Sequence, residues 1–407
     1  VHQMIWLRRS HTKSIGLRHN MPPQHPVSPT APRTVQPAKP YDALLLASFG
    51  GPNKPEDVVP FLRNVVRGKN IPDARLEEVG EHYYGFGGRS PINEQNLALR
   101  HAIEAELRSR GVMLPVIWGN RNWHPYTVDA LRDASAFGAQ RVLAIMTSAY
   151  ASYSGSRQYR EDLAAGSAAL SESGFDPLAI DIVRPFFNAP GFVEANLAAV
   201  HEAVASLEAL GPGSSSPGAV HVIYVTHSIP DTMQDASAVT GPGYREQHQD
   251  VQSVIDAALR ERHGIQVHSS LAYCSRSGDP RTPWLEPDIN DHLRQLATEG
   301  VTRVVIAPIG FISDHMEVIY DLDTEALATA RELGIVAVRA DTAGIRPEFV
   351  SGLVDLVLER AARERGEAIH PQTTGALGAF ADTAPPDSCR MRLGEVTGIP
   401  VVGGTAD

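Results

Sequence analysis

From Tyr41 to about residue 340, short apolar runs alternate with stretches whose apolar residues fall at helical spacing, and this alternation restricts the fold more than any other feature. The runs are Ala43–Ser48, Pro115–Gly119, Val142–Thr147 and Leu178–Val183, then Val220–Thr226, Gln266–Tyr273, Val304–Ile309 and Ile335–Arg339. Between them lie the amphipathic stretches Pro91–Arg110, Tyr126–Phe137, Val193–Leu210 and Arg245–Arg262. Strand and helix in alternation imply a parallel sheet with helices on both faces. The Ser/Gly/Pro-rich loop Gly211–Gly218 divides the runs into two sets of four, which predicts two four-stranded α/β domains. An internal echo points the same way: Ala43–Pro52 and Val222–Pro230 each run from an apolar strand through a hydroxyl residue, a ring and a turn to a proline. In open parallel sheets ligands bind beyond the carboxyl ends of the strands. Residues that follow the apolar runs are therefore the candidates for chemistry.

Composition narrows the function classes. A formal charge of −11 over 407 residues argues against a nucleic-acid partner, which needs a broad basic surface. No stretch of 18 apolar residues occurs, so no integral membrane association is expected. Cys274 and Cys389, the two cysteines, give no disulfide framework, and a cytoplasmic location is expected. Residues 1–40 lack Asp and Glu, carry Arg8, Arg9, Lys13, Arg18, Arg33 and Lys39, and read as a disordered leader, with a transit peptide as the alternative. The expected organisation is an N-terminal domain over 41–188, a C-terminal domain over 189–345, a helix over 346–366 and a disordered tail over 367–407.

Two constellations stand at strand ends. His227 follows Val220–Thr226 directly, where its ring is reachable and its backbone is fixed by the sheet; a capping or core histidine is the alternative. After Val304–Ile309 comes Ser313-Asp314-His315-Met316-Glu317, opening a helix on which Glu317, Asp321 and Glu325 recur every four residues and share a face. Such a row is either a solvated acidic surface or a route for a divalent cation. Oxygen and imidazole donors together favour Fe2+, Co2+ or Zn2+ over Mg2+. Gly85–Ser90 is not a dinucleotide fingerprint, because no strand precedes it, and neither GxSxG nor HExxH occurs.

Several segments, in order, resemble the ferrochelatase family: Leu46–Pro52, Gly87-Gly88-Arg89-Ser90-Pro91-Ile92, Val222–Pro230 with Gly241-Pro242-Gly243-Tyr244, Thr282–Asp288 and Pro308–Tyr320. The likeness runs from about Tyr41 to Leu358. It implies two Rossmann-like domains, each a four-stranded parallel sheet flanked by helices, with a porphyrin cleft between them. It implies a soluble enzyme of haem biosynthesis that inserts Fe2+ into a free porphyrin. His227 and Glu317 would be the catalytic and metal-site pair, Ser90 and Tyr159 would contact the porphyrin, and Asp321 and Glu325 would lead metal inward. Phe49, Arg67, Tyr83, Arg121, Asn122 and His315 would line the cleft.

The resemblance implies no organic cofactor, with Fe2+ and the porphyrin as substrates and haem-pathway enzymes as neighbours. Some family members hold a [2Fe-2S] cluster on four cysteines; two cysteines predict none here. The stretch Arg67–Tyr84 is too charged to enter a bilayer, which favours a substrate collected from water, coproporphyrin III, over protoporphyrin IX. Arg67, Lys69, Arg75, Arg89, Arg121 and Arg157 are the expected cations for its propionates. The alternatives are a protoporphyrin IX ferrochelatase, a cobalt or nickel chelatase of a reduced tetrapyrrole, and a bilobal metal-binding protein without catalysis.

Overall fold

A computed structural model describes residues 37 to 404, apart from residues 70, 211–219, 279–280, 386 and 396. The expected leader over 1–36 and the Gly211–Gly218 linker lie outside the described residues.

The eight apolar runs are strands: β1 (Ala43–Ser48), β2 (Val116–Asn120), β3 (Arg141–Met146) and β4 (Ala179–Ile182), then β5 (Val220–His227), β6 (Val267–Cys274), β7 (Arg303–Ala307) and β8 (Val336–Arg339). They form two four-stranded sheets, ordered β2-β1-β3-β4 and β6-β5-β7-β8, and every pairing is parallel. The second sheet repeats the order of the first. β1 is buried along its whole length, as a strand covered by helices on both faces must be.

The helices of the first half are α1 (Val58–Val65), α2 (Asp73–Tyr84), α3 (Ile92–Ser109), α4 (Thr127–Ala136) and α5 (Gln158–Glu172). Those of the second are α6 (Pro190–Ala209), α7 (Asp231–Ser237), α8 (Tyr244–His263), α9 (Ile289–Thr298), α10 (Met316–Ile319), α11 (Leu327–Glu332) and α12 (Pro347–Glu364). α6 opens with Pro190 in its first turn, where no backbone N–H is needed, and buries Phe192, Val193, Asn196, Val200, Ala203 and Leu207 along one stripe. α8 stops at Gly264, whose φ of +69° supplies the left-handed cap, after Arg260, Arg262 and His263 in the last turn.

The halves are not independently cored. One apolar cluster contains Leu44, Leu46 and Tyr150 of the first half together with Val222, Tyr224 and Val305 of the second. Each sheet keeps a smaller outer cluster of its own, around Leu45 and Val142 in one and around Ile223 and Ile306 in the other. α12 returns to the first half: Arg110 Nη2 donates to Ser351 Oγ at 2.7 Å and Arg184 Nε to Glu359 Oε1 at 2.8 Å. Gly191 and Gly352 meet where these helices cross, and a Cβ on Gly191 would overlap the Glu348 carbonyl.

The described residues at both ends are packed on the body. Residues 37–40 are packed: Ala38 is buried, and Arg365 Nη1 donates to the Pro37 and Lys39 carbonyls at 2.5 and 2.6 Å. The described residues of the tail from 367 to 404 form no helix or strand, yet they are held on the body. Arg160 donates to the Val402 carbonyl (2.8 Å), the Ala384 carbonyl (3.1 Å) and Ser388 Oγ (3.1 Å), and Arg157 Nη1 donates to the Ser388 carbonyl. Asn188 Nδ2 donates to the Leu377 carbonyl at 2.7 Å. The polar composition that suggested disorder belongs to a strap with no core of its own, whose carbonyls are satisfied by buried side chains of the body it crosses.

Candidate active site

His227 is the last residue of β5, and the strand end is braced from behind. Tyr244, the first residue of α8, places its hydroxyl 2.6 Å from Thr226 Oγ1 and donates to the His227 carbonyl at 3.1 Å. This accounts for the Gly241-Pro242-Gly243-Tyr244 segment: the turn delivers a buried phenol to the back of the histidine. On the ring itself, Nδ1 lies 2.5 Å from the Ser228 carbonyl. A carbonyl only accepts, so Nδ1 carries the proton and Nε2 of the neutral ring keeps its lone pair. His227 is half-buried, so that lone pair is available to a ligand.

The second arm follows β7. Gly310 passes so close to Thr226 that a Cβ there would overlap its side chain, which brings the loop 310–315 against the end of β5. The chain then turns through α10, and His315 Nδ1 stands 2.6 Å from Glu317 Oε2. Burial alone would raise the Glu317 carboxyl, but the charge and hydrogen bond of His315 beside it hold it down at about 2, and His227 adds to this only when its ring is protonated. Burial works against a charge on His315, and Glu317 more than offsets it, so the His315 pKa is raised. Burial pushes the Asp321 carboxyl up to about 7; Glu317 and Glu325 add to that push, and a hydrogen bond from Ser275 opposes it. The arrangement is an ionised carboxylate close enough to the His227 ring to feel its charge, with a crowded row of acids beside it.

The acidic row is not carried on one regular α-helix. α10 is four residues long, and Asp321–Ala326 is wound as a π turn before α11. In an α-helix each four-residue step overshoots a full turn by about 40°. The wider π turn undershoots it. The two deviations offset, so Glu325 stays in line with Glu317.

The first half supplies the opposite wall. Tyr83 on α2 is half-buried near Glu317 and Asp321: desolvation first, then those two carboxylates, raise its phenol pKa far above the usual value. Its neighbour His82 stacks on Tyr320 with ring centroids 4.0 Å apart and planes 10° from parallel. Phe49 packs edge-on against Phe61, and its carbonyl accepts from both the N–H of Asn122 (3.1 Å) and Asn122 Nδ2 (3.3 Å). Ser90 is buried next to Gly51, where a Cβ would come within 2.8 Å of the Ser90 Cβ. Three sets of hydrogen bonds tie the first half to the second near this wall. The Asp314 N–H donates to Gln95 Oε1 at 2.8 Å, Tyr150 Oη donates to the Ile309 carbonyl at 3.1 Å, and Gln247 bonds both the N–H and the carbonyl of Ala151.

Other expected site residues are placed differently. Tyr159 is buried in the apolar layer behind the first sheet, with the Arg121 guanidinium 4.7 Å from its ring centroid. Arg121 is itself nearly buried and paired with Asp162, so it backs the wall near Phe49, 5.8 Å from that ring. Arg157, expected to meet propionates, is buried against Glu161 at 2.7 Å and holds the C-terminal strap instead. Arg67 lies exposed beside α1 and donates to Asn64 Oδ1 at 2.8 Å. Arg75 pairs with Glu78, and Arg89 with Glu94 at 3.0 Å.

Sequence reasoning missed the bracing Tyr244 hydroxyl, the His82–Tyr320 stack and the Gln95–Asp314 bond. The Gly-Pro-Gly-Tyr turn was the available signal for the first, and nothing local marks the other two. A separate groove of about 470 Å3 lies between Phe86, Arg89 and Pro91 on one side and Asp314, Ile319 and Asp323 on the other. It includes neither His227 nor Glu317.

Among the described residues no group of three or more His, Cys, Asp or Glu is arranged to hold a metal ion. A cation at His227 and Glu317 would thus have two protein ligands and open positions for incoming donors.

Known proteins share these elements. The family model described as Ferrochelatase matches residues 41–361. The coproporphyrin III ferrochelatase of Streptomyces coelicolor is 52% identical over 360 residues, covering 87% of this chain and 95% of that protein. The coproporphyrin III ferrochelatase of Leifsonia xyli subsp. xyli is 48% identical over 367 residues, covering 87% and 92%. Among solved structures, SirB from Bacillus subtilis with Fe3+ aligns with a TM-score of 0.45 at 11% identity, covering 80% of this chain and 97% of that one. The model match takes in both sheets and the segments that carry His227 and Glu317, and the relatives extend it over most of the chain: this protein belongs to the ferrochelatase family.

Proposed function

We propose that this ferrochelatase inserts Fe2+ into coproporphyrin III and releases the two pyrrole protons, with His227 and Glu317 as the working pair. The observation that carries the site assignment is the tautomer of His227. Its Nδ1 proton is committed to the Ser228 carbonyl, so Nε2 is the atom that accepts a pyrrole proton. Glu317, held ionised by His315, is a carboxylate that receives Fe2+ without the affinity of a thiolate. Such holding is weak enough to release the ion to four pyrrole nitrogens.

Asp321 and Glu325 extend the negative row outward and form the entry path for the dication, which relieves their mutual repulsion. Tyr83, Phe49, Ser90 and Asn122 form the wall against which the macrocycle lies, with Arg121 and Tyr159 stiffening it from behind. A wall braced by buried hydrogen bonds can spend binding energy on bending the ring, which exposes the nitrogen lone pairs. The reaction needs no organic cofactor and no [2Fe-2S] cluster.

Coproporphyrin III is favoured because relatives named for it are about half identical over most of the chain. Among the described residues no helix is long and apolar enough to cross a membrane, in keeping with a substrate that carries four propionates and is collected from water in the cytoplasm. The deciding measurement is kcat/KM for Fe2+ insertion into coproporphyrin III and into protoporphyrin IX, each with and without detergent. At least a tenfold preference for coproporphyrin III is expected in both conditions. A preference for protoporphyrin IX in both would reverse the substrate assignment, and no insertion into either would remove the activity.

A further inference from the structure

β6 ends at Cys274, which stands in register with His227 on the neighbouring strand. The next residue, Ser275, has φ +63°, one of two non-glycine residues among those described to adopt a positive φ. That region disfavours side chains, and glycine occupies it freely. A serine there stands against the local backbone preference, and such outliers gather at functional sites. What the serine has and glycine lacks is the hydroxyl. Ser275 Oγ donates to Asp321 Oδ2 and lies 3.4 Å from Cys274 Sγ. Asp321 stands at the start of the π turn, between Glu317 and Glu325, and both repel it. With like charges on either side, the carboxylate gains by swinging away unless a donor from outside the row holds it. The end of β6 provides that donor, one residue past the pair Cys274–His227.

We propose that Ser275 is a positioning residue for metal entry: its left-handed backbone aims the hydroxyl at Asp321 and keeps that carboxylate in line between Glu325 and Glu317. The inference rests on the reading of Asp321 as part of the iron path. It assigns Ser275 no contact with the macrocycle and no part in proton transfer.

The test compares Ser275→Gly, Ser275→Ala, Ser275→Asn and Asp321→Ala in steady-state Fe2+ insertion, together with their melting temperatures. Removing a hydrogen bond to a charged group predicts a rise of about tenfold in the KM for Fe2+ in both Ser275→Gly and Ser275→Ala. The kcat and the KM for porphyrin should stay within about twofold of the parent. Ser275→Gly relieves the backbone and should melt above Ser275→Ala, so the iron defect and the stability change separate. Asn tolerates the left-handed region and offers an amide donor, so Ser275→Asn should recover most of the iron affinity. Ser275→Gly combined with Asp321→Ala should be no worse than Asp321→Ala alone. An unchanged KM for Fe2+ in Ser275→Gly, beside a raised one in Asp321→Ala, overturns this inference and leaves the iron path standing. No effect of Asp321→Ala overturns both. A defect in the KM for porphyrin instead of Fe2+ assigns the hydroxyl to the macrocycle and also overturns it.

Discussion

Replacing His227 with alanine removes the atom on which the mechanism turns while disturbing little else. The strand end is held through the backbone, by the Tyr244 hydroxyl on the His227 carbonyl and by register with Cys274, and an alanine keeps both. The structural loss is the ring and its bond to the Ser228 carbonyl. One such hydrogen bond at a half-buried position is worth about 1 kcal/mol, a small shift in melting temperature for a chain of this size. The catalytic loss is larger. A positioned base contributes a factor of about 10²–10⁴, or roughly 3–5 kcal/mol of barrier, and Glu317 cannot take its place because His315 depresses its basicity. Fe2+ insertion followed by porphyrin absorbance under anaerobic conditions should therefore fall at least a hundredfold in His227→Ala. Coproporphyrin binding, followed by fluorescence quenching, should stay within a few-fold. Added imidazole should restore part of the rate, since the cavity left by the ring opens toward the same proton. A folded His227→Ala protein with turnover within tenfold of the parent would refute the reasoning.

Two further outcomes follow from other parts of the molecule. His248 is buried with its Nδ1 donating to the Tyr244 carbonyl at 2.7 Å and its ring stacked on Tyr150, and burial lowers its pKa to about 3. A folded pKa below the unfolded value near 6.5 gives stability that is present above pH 6.5 and is lost as the pH falls toward 3. Denaturant unfolding should lose about 2 kcal/mol from this residue between pH 7.5 and pH 5, with a further loss from half-buried His221, and His248→Gln should flatten the slope; an unchanged slope would be inconsistent with a buried neutral ring. Cys274 and Cys389 are both free and buried, so the purified protein is expected to be colourless without tetrapyrrole, and stoichiometric acid-labile sulfide would contradict this.

The sequence was informative wherever the deciding physics is local. Strand and helix periodicities depend on neighbours within a few positions, so all eight strands could be read within one or two residues of their ends. The matching halves were visible for the same reason, as the Ala43–Pro52 and Val222–Pro230 echo became two sheets with one strand order. His227 and Glu317 were singled out because parallel sheets bind their ligands just past the strand ends, and the structure places both at or beyond the strand ends of the second sheet. The spacing of Glu317, Asp321 and Glu325 was legible as well.

What the tertiary structure decided depends on residues far apart in the chain. Arg157 and Arg121 looked like free cations for propionates; whether an arginine is free depends on what folds onto it, and here Glu161 with the C-terminal strap, and Asp162, take them. The strap itself read as disordered because composition reports whether a segment can build its own core, not whether another body will bind it. The π turn under Asp321, the tautomer of His227 and the stack of His82 on Tyr320 have no sequence signature. Each is set by distances of a few ångströms between groups that the alternation of strands and helices brings to one place, and that alternation fixes the place without fixing the partners.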